Sequence, residues 1–314
     1  MELTRREFLK LCSASAAGIG VSKILAPEVV QALEKTAATR PPVIWLQGAN
    51  CTGCAVSLLN TNHPTIAEVL LNIISLEYQP NVMAASGELA FSYVDMVAEK
   101  AKGKFFLLLE GAVPTREGGK TCTIGMRDGK EVTYLQAVKE FGSKAAAIIA
   151  VGDCSSFGGI PAAKPNPTEC KPVTEIVQGV PIINIQGCPP HSDWLLGTVV
   201  HVLLFGLPEL DNKGRPKMFF GETIHQNCPN YSYFQDGKFA AKFGDKGCLI
   251  QLGCKGPMSG SDCPLRKWNS GVNWCVGAGS PCIGCCSETF PDGMSPFYSA
   301  LSKDKWPKKD SEIV

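Results

Sequence analysis

Eight of the 15 cysteines lie between Cys228 and Cys286, interleaved with glycine, proline and tryptophan in a stretch that lacks helical or strand periodicity. Apolar residues that cannot line one face of an element bury little surface, so cross-links or metal must offset the chain entropy there. Four more cysteines, Cys51, Cys54, Cys154 and Cys188, stand earlier in the chain. Cys51-Thr52-Gly53-Cys54 is a C-x2-C pair, a spacing shared by zinc sites, redox dithiols and iron-sulfur centres. Cys154 in Gly152-Asp153-Cys154 and Cys188 in Gly187-Cys188-Pro189-Pro190 read as loop positions beside glycine. Glycine lets backbone approach bulky inorganic sulfide and offers it amide donors, which favours a cluster. Disulfides between structural cysteines are the alternative in an oxidising compartment. Hydrolytic chemistry finds no support: the histidines are His63, His191, His201 and His225, and no Ser/His/Asp or paired-carboxylate pattern stands out.

The elements that must position these residues alternate between short apolar runs and amphipathic stretches. Residues 43–46, 74–78, 105–109, 145–151 and 181–185 read as strands, and 65–73, 88–100, 132–141, 173–178 and 191–205 as helices. Near-continuous apolar strands separated by helices predict an α/β, flavodoxin-like doubly wound parallel sheet. Cys51 and Cys54 follow the first strand, Cys154 follows 145–151 and Cys188 follows 181–185. In an open α/β sheet the rim beyond the carboxyl ends of the strands is where ligands bind, so these four thiols are expected to converge on one cluster.

The first 40 residues stand apart. Thr4-Arg5-Arg6-Glu7-Phe8-Leu9-Lys10 resembles a twin-arginine export signal, and the Ala/Gly/Ser/Leu stretch behind it is too short and interrupted to span a bilayer. That route carries folded, cofactor-loaded proteins, so a periplasmic location is expected, with cleavage between Ala26 and Arg40. Residues 41–206 then form the sheet domain and 207–314 an irregular, cluster-stabilised one. The net charge of +1 offers nothing to nucleic acid or an anionic membrane, and no apolar run reaches 18 residues. Association with a membrane would therefore need a partner.

Together, Cys51-x2-Cys54, Gly152-Asp153-Cys154, Gly187-Cys188-Pro189-Pro190-His191, His225-x2-Cys228, Gly253-Cys254-Lys255-Gly256-Pro257 and Pro281-Cys282-Ile283-Gly284-Cys285 resemble the small subunit of the nickel-iron hydrogenases, from Pro42 to about Tyr298. The resemblance implies an electron relay of three iron-sulfur clusters. The proximal 4Fe-4S cluster would use Cys51, Cys54, Cys154 and Cys188, and the distal one His225, Cys228, Cys248 and Cys254. A neutral imidazole in place of a thiolate removes one negative charge and raises the potential.

The medial cluster would use Cys263, Cys282 and Cys285. Many members have proline where this chain places Cys275, and a fourth thiolate implies 4Fe-4S of lower potential, as in the nickel-iron-selenium subgroup; without Cys275 the centre would be 3Fe-4S. Gly53 and Gly159 stand where oxygen-tolerant members carry two extra cysteines, which implies a conventional proximal cubane. Of the remaining thiols, Cys12 falls in the leader, Cys122 and Cys170 are expected in loops, and Cys286 is expected to be an inert buried thiol. The implied partners are a large subunit holding the nickel-iron site and, as electron acceptor, a multihaem c-type cytochrome or a membrane cytochrome. Two other readings are an electron-transfer subunit of a quinone-reductase-like complex, which shares the first domain, and a non-redox zinc protein.

Overall fold

The computed structural model describes residues 40–61 and 65–310. The leader motif, Cys12 and His63 lie outside them. The first strand, β1 (Pro42–Gln47), is followed by α1 (Gly53–Leu59), then by α2 (Ile66–Glu68), which runs on into a π-helical turn at Val69–Ile73. Next come β2 (Ser75–Tyr78), α3 (Gly87–Lys100) and β3 (Phe106–Glu110), with the two-residue β4 (Val113–Pro114) just beyond. A hairpin of β5 (Thr123–Arg127) and β6 (Lys130–Thr133) leads into α4 (Tyr134–Gly142). β7 (Ala147–Val151) passes straight into α5 (Gly152–Phe157), and β8 (Cys170–Lys171), β9 (Ile182–Ile185) and α6 (Ser192–Phe205) complete this part.

Five parallel strands pair in the order β2-β1-β3-β7-β9. The connections leave β1 in both directions, so the switch point lies between β1 and β3, where the loop bearing Cys51 and Cys54 emerges. Strands β1, β3, β7 and β9 are largely buried on both faces, and their side chains alternate between two apolar clusters. Val43, Trp45, Leu108, Ile149 and Ile183 point to one side, and Ile44, Leu46, Leu107 and Ile148 to the other. On the second side α3 and α4 contribute Phe91, Val94, Val97, Val138 and Phe141 at helical spacing. The first cluster takes in Leu58, Val69 and Trp194, then continues without a break into Phe219, Phe220, Trp274 and Cys282 of the C-terminal part. That part therefore packs against the sheet domain through one shared core.

From residue 207 onward the described elements are short turns of helix, among them α7 (Lys217–Phe220), α8 (Tyr231–Gln235) and α9 (Cys263–Arg266), joined by isolated bridges such as Phe239↔Cys248. Elements this short are marginal by themselves, in keeping with the expectation of a metal-dependent segment. No helix among the described residues is long and apolar enough to cross a membrane.

Three readings need correction. The helix expected over 132–141 begins at Tyr134, because residues 130–133 close a hairpin whose Asp128-Gly129 turn has φ of 51° and 71°. Both turn residues take positive φ, the geometry that a two-residue Asp-Gly turn supplies. Cys154 lies on helix α5 rather than in a loop, and Cys170 belongs to β8, paired with Pro114.

Candidate metal centres

The first centre forms at the switch point. Glu110, at the end of β3, is fully buried, and its carboxylate collects four donors. Oε1 accepts from the backbone N–H of Cys54 at 3.2 Å and of Ala55 at 3.3 Å, while Oε2 accepts from Trp45 Nε1 at 3.1 Å and Gln47 Nε2 at 3.0 Å. The two backbone donors sit in the first turn of α1, where helical N–H groups lack intrahelical partners. Glu110 thereby anchors the C-x2-C segment to β1 and β3.

From β7 the chain turns at Gly152, with φ 86°, and a Cβ there would lie 2.5 Å from Cys54 Sγ. Only glycine permits this approach of the β7 end to the Cys54 sulfur. Asp153 N–H donates to the Gly187 carbonyl at 2.9 Å and so ties the β7 and β9 loops together. A Cβ on Gly159 would stand 3.0 Å from Cys154 Sγ. Burial, then the charges of Glu110, Cys154, Cys51 and Cys188, push the Cys54 thiol well above its usual range. Burial chiefly, with the charge of Asp153 next, pushes Cys154 and Cys188 up to about 12. Burial thus disfavours the thiolates of Cys54, Cys154 and Cys188, and a bound cation would compensate their charge.

The second centre lies in the C-terminal part. A pocket with an empty volume of about 360 Å³ is lined by His225, Cys228, Cys248 and Cys254, with Ile250 and Trp274 among its apolar walls. The His225 ring packs edge-on against Phe234 at 4.7 Å and Tyr231 at 5.1 Å. Its Nε2 is buried and has no hydrogen-bond partner among the described residues, and burial holds the imidazole below its usual pKa. A neutral ring with an open nitrogen facing three thiols fits a metal ligand. Burial pushes Cys228 up to about 12 and Cys248 to about 11, with Cys254 raising both further.

Cys263, Cys275, Cys282 and Cys285 form the third group. Burial raises Cys263, and the charges of Cys285 and Cys275 add to it; Cys275 is raised by burial and then by Cys285. Trp268 Nε1 donates to Cys263 Sγ at 3.1 Å, and Gly284 N–H to Cys282 Sγ at 3.4 Å. The neighbouring thiol Cys286 is buried, and its backbone N–H donates to Ser259 Oγ at 3.2 Å.

The three groups abut in a row. His191, three residues after Cys188, packs on the Trp268 ring with centroids 4.9 Å apart, and Trp268 Nε1 donates to Cys263 Sγ at 3.1 Å, joining the first group to the third. Lys255 N–H donates to the Cys282 carbonyl at 2.7 Å, and the charge of Cys254 acts on Cys282, joining the third to the second. Under this seam Arg266, with a side chain only 2% exposed, bridges Asp262 at 2.6 Å and Asp193 at 3.0 Å, while Trp194 Nε1 donates to Asp262 at 2.6 Å. His191 accepts from Asp193 N–H at 3.0 Å and caps α6.

Sequence reading did not anticipate Glu110, Trp268 or the Arg266 network. Glu110 carried one signal, a charged residue ending the apolar run Phe105 to Leu109 at the ligand-binding rim. Trp268 and Arg266 reach Cys263 and Asp262 only five and four residues away, while the link of Arg266 to Asp193 comes from tertiary packing.

Residues 220–298 match the family model for the C-terminal region of the NiFe/NiFeSe hydrogenase small subunit, and residues 51–202 match that of the NADH ubiquinone oxidoreductase 20 Kd subunit. The chain is 49% identical to the periplasmic NiFeSe hydrogenase small subunit of Desulfomicrobium baculatum, over 96% of this chain and 100% of that protein. To the periplasmic NiFe hydrogenase small subunit of Solidesulfovibrio fructosivorans it is 44% identical, over 94% and 93% of the two chains. A solved structure of the H2-activated NiFeSe hydrogenase of Dm. baculatum superposes with a TM-score of 0.80 at 47% identity, covering 84% of this chain and 100% of that one. Hydrogenase small subunits carry iron-sulfur clusters. By sequence along nearly its whole length and by its fold, the chain belongs to the NiFe/NiFeSe hydrogenase small subunits, the electron-transfer partners of a large subunit on which the active site lies.

Proposed function

We propose that this chain passes electrons between the large subunit's hydrogen-activating site and a redox partner through three 4Fe-4S clusters. Cys51, Cys54, Cys154 and Cys188 would hold the proximal cluster, Cys263, Cys275, Cys282 and Cys285 the medial one, and His225, Cys228, Cys248 and Cys254 the distal one. The observation that carries this reading is the adjacency of the three donor groups, the first joined to the third through His191 and Trp268 on Cys263, and the third to the second through Lys255 N–H on the Cys282 carbonyl at 2.7 Å. When bound, such clusters supply reversible one-electron steps.

The chain's own residues do the rest. Thirteen positions matter most, the twelve ligands and Glu110, which fixes the helix start bearing Cys54. Backbone N–H groups of Asn230 and Gly284, aimed at Cys228 and Cys282 sulfurs, stabilise charge on those thiolates. His225 gives the distal site a neutral donor. Cys275, near Cys285, provides the fourth thiolate of the medial site. We divide the chain into a sheet domain (41–206) and a cluster domain (207–314), a reading supported by separate family matches over 51–202 and 220–298. The relatives' periplasmic names support export of this chain by its twin-arginine leader, and we assign a multihaem c-type or membrane cytochrome as acceptor.

The test is analysis of the anaerobically purified heterodimer. The expected content is about twelve iron and about twelve sulfide per small subunit, with the brown absorbance of thiolate-to-iron charge transfer. A colourless, zinc-containing protein would overturn the assignment. Replacing Cys275 with proline should convert the medial electron paramagnetic resonance signal to that of an oxidised three-iron centre, and an unchanged spectrum would remove Cys275 from the ligand set.

A further inference from the structure

Trp268 is held from every side. Its backbone N–H donates to the Asn273 carbonyl at 2.7 Å, and its own carbonyl accepts from Val272 N–H at 3.0 Å. Lys267, at φ 59°, turns the chain sharply after α9 and delivers the indole back over it. The ring packs on His191 with centroids 4.9 Å apart and meets Trp194 edge-on at 6.3 Å. His191 is itself fixed as the cap of α6, three residues after Cys188. The result of this clamping is a single aimed donor: Nε1–H points at Cys263 Sγ, 3.1 Å away.

An indole N–H has no other use for its proton, being a donor only. At a cluster ligand such a donor meets more negative charge in the reduced state than in the oxidised one, so it favours reduction. In surroundings as buried as those of Cys263, 8% exposed, that preference is little screened. From this geometry we infer that Trp268 is a positioning and tuning residue that raises the reduction potential of the medial centre through its hydrogen bond to Cys263. The donor offsets part of the lowering that a fourth thiolate at Cys275 imposes, and so keeps the middle of the row accessible to electrons from either side. The inference rests on the assignment of Cys263 as a medial ligand.

The test is Trp268→Phe in the complete heterodimer, with the three centres titrated separately by potentiometry and electron paramagnetic resonance. Phenylalanine keeps a ring against His191 and removes the N–H. The medial one-electron equilibrium should shift about tenfold toward the oxidised state, a fall of ~59 mV, with the other two midpoints unchanged. Pulsed measurements after exchange into D2O should show an exchangeable deuteron coupled to the medial centre in the parent and none in the variant. An unchanged medial midpoint, or an equal shift of all three, overturns the inference. Loss of medial iron from the variant also overturns it, in favour of a scaffolding role. Placing 3-benzothienylalanine at position 268 keeps the bicyclic shape without the N–H and must reproduce the shift. The ligand assignment fails on a different result, retention of all iron in Cys263→Ala.

Discussion

Replacing Glu110 with glutamine tests how the proximal site is built. In the native chain four N–H donors converge on the two oxygens, the backbones of Cys54 and Ala55 on one and the side chains of Trp45 and Gln47 on the other. An amide of the same shape presents one oxygen and one NH2, so it can serve one pair while turning donors toward the other. Each buried donor left unpaired costs about 1–3 kcal/mol. Gln47 is only half-buried and can turn toward water. The expected loss is therefore about 2–4 kcal/mol, a large part of the 5–15 kcal/mol that holds a typical domain together. At ~2–4 °C per kcal/mol this is a fall of roughly 5–15 °C in thermal midpoint. Amide hydrogen exchange at Cys54 and Ala55 should accelerate, because their protons lose the carboxylate that protects them. Removal of a negative charge beside Cys54 should also raise the proximal midpoint potential while leaving the distal one unchanged. If melting, exchange and proximal potential all match the parent, the account of Glu110 as the anchor of α1 is wrong.

Gly152→Ala should deplete the proximal site of iron: its Cβ would sit 2.5 Å from Cys54 Sγ on a backbone at φ 86°, and the conformation alone costs about 1–3 kcal/mol. Iron analysis and the proximal resonance signal check it, and full occupancy would contradict the close approach. Arg266→Met leaves Asp262 and Asp193 buried without their cation, an expected loss of about 3–5 kcal/mol that denaturant unfolding would register. Anaerobic removal of iron should open residues 207–310 to limited proteolysis while the strands β1, β3, β7 and β9 stay protected. Equal protection before and after would mean that the cluster domain folds without metal.

The flavodoxin-like sheet was legible because β1, β3, β7 and β9 are largely buried on both faces and appear as apolar runs, as in 105–109 and 145–151. The convergence of Cys51, Cys54, Cys154 and Cys188 followed from their place after strand ends, since the parallel order of the sheet puts those ends along one rim. Helices α1 and α5 escaped notice because they are one or two turns long and start on the ligand loops themselves, too short to display a period. The β5–β6 hairpin was marked by Asp128-Gly129, yet the amphipathic pattern of α4 reached back over Val132 and hid it.

Local chemistry, the kinds of donor and their spacing along the chain, determined the expectation of clusters, and the family resemblance implied which residues would serve each one. Only the tertiary structure decided that the groups adjoin one another, that a buried carboxylate anchors the first, and that the Trp268 indole folds back onto Cys263, five residues before it. Spacing in sequence records what a few neighbouring residues can grip. The contacts of Glu110 with Cys54, Arg266 with Asp193 and His191 with Trp268 join segments far apart in the chain, and it is packing of the shared core that brings them within reach.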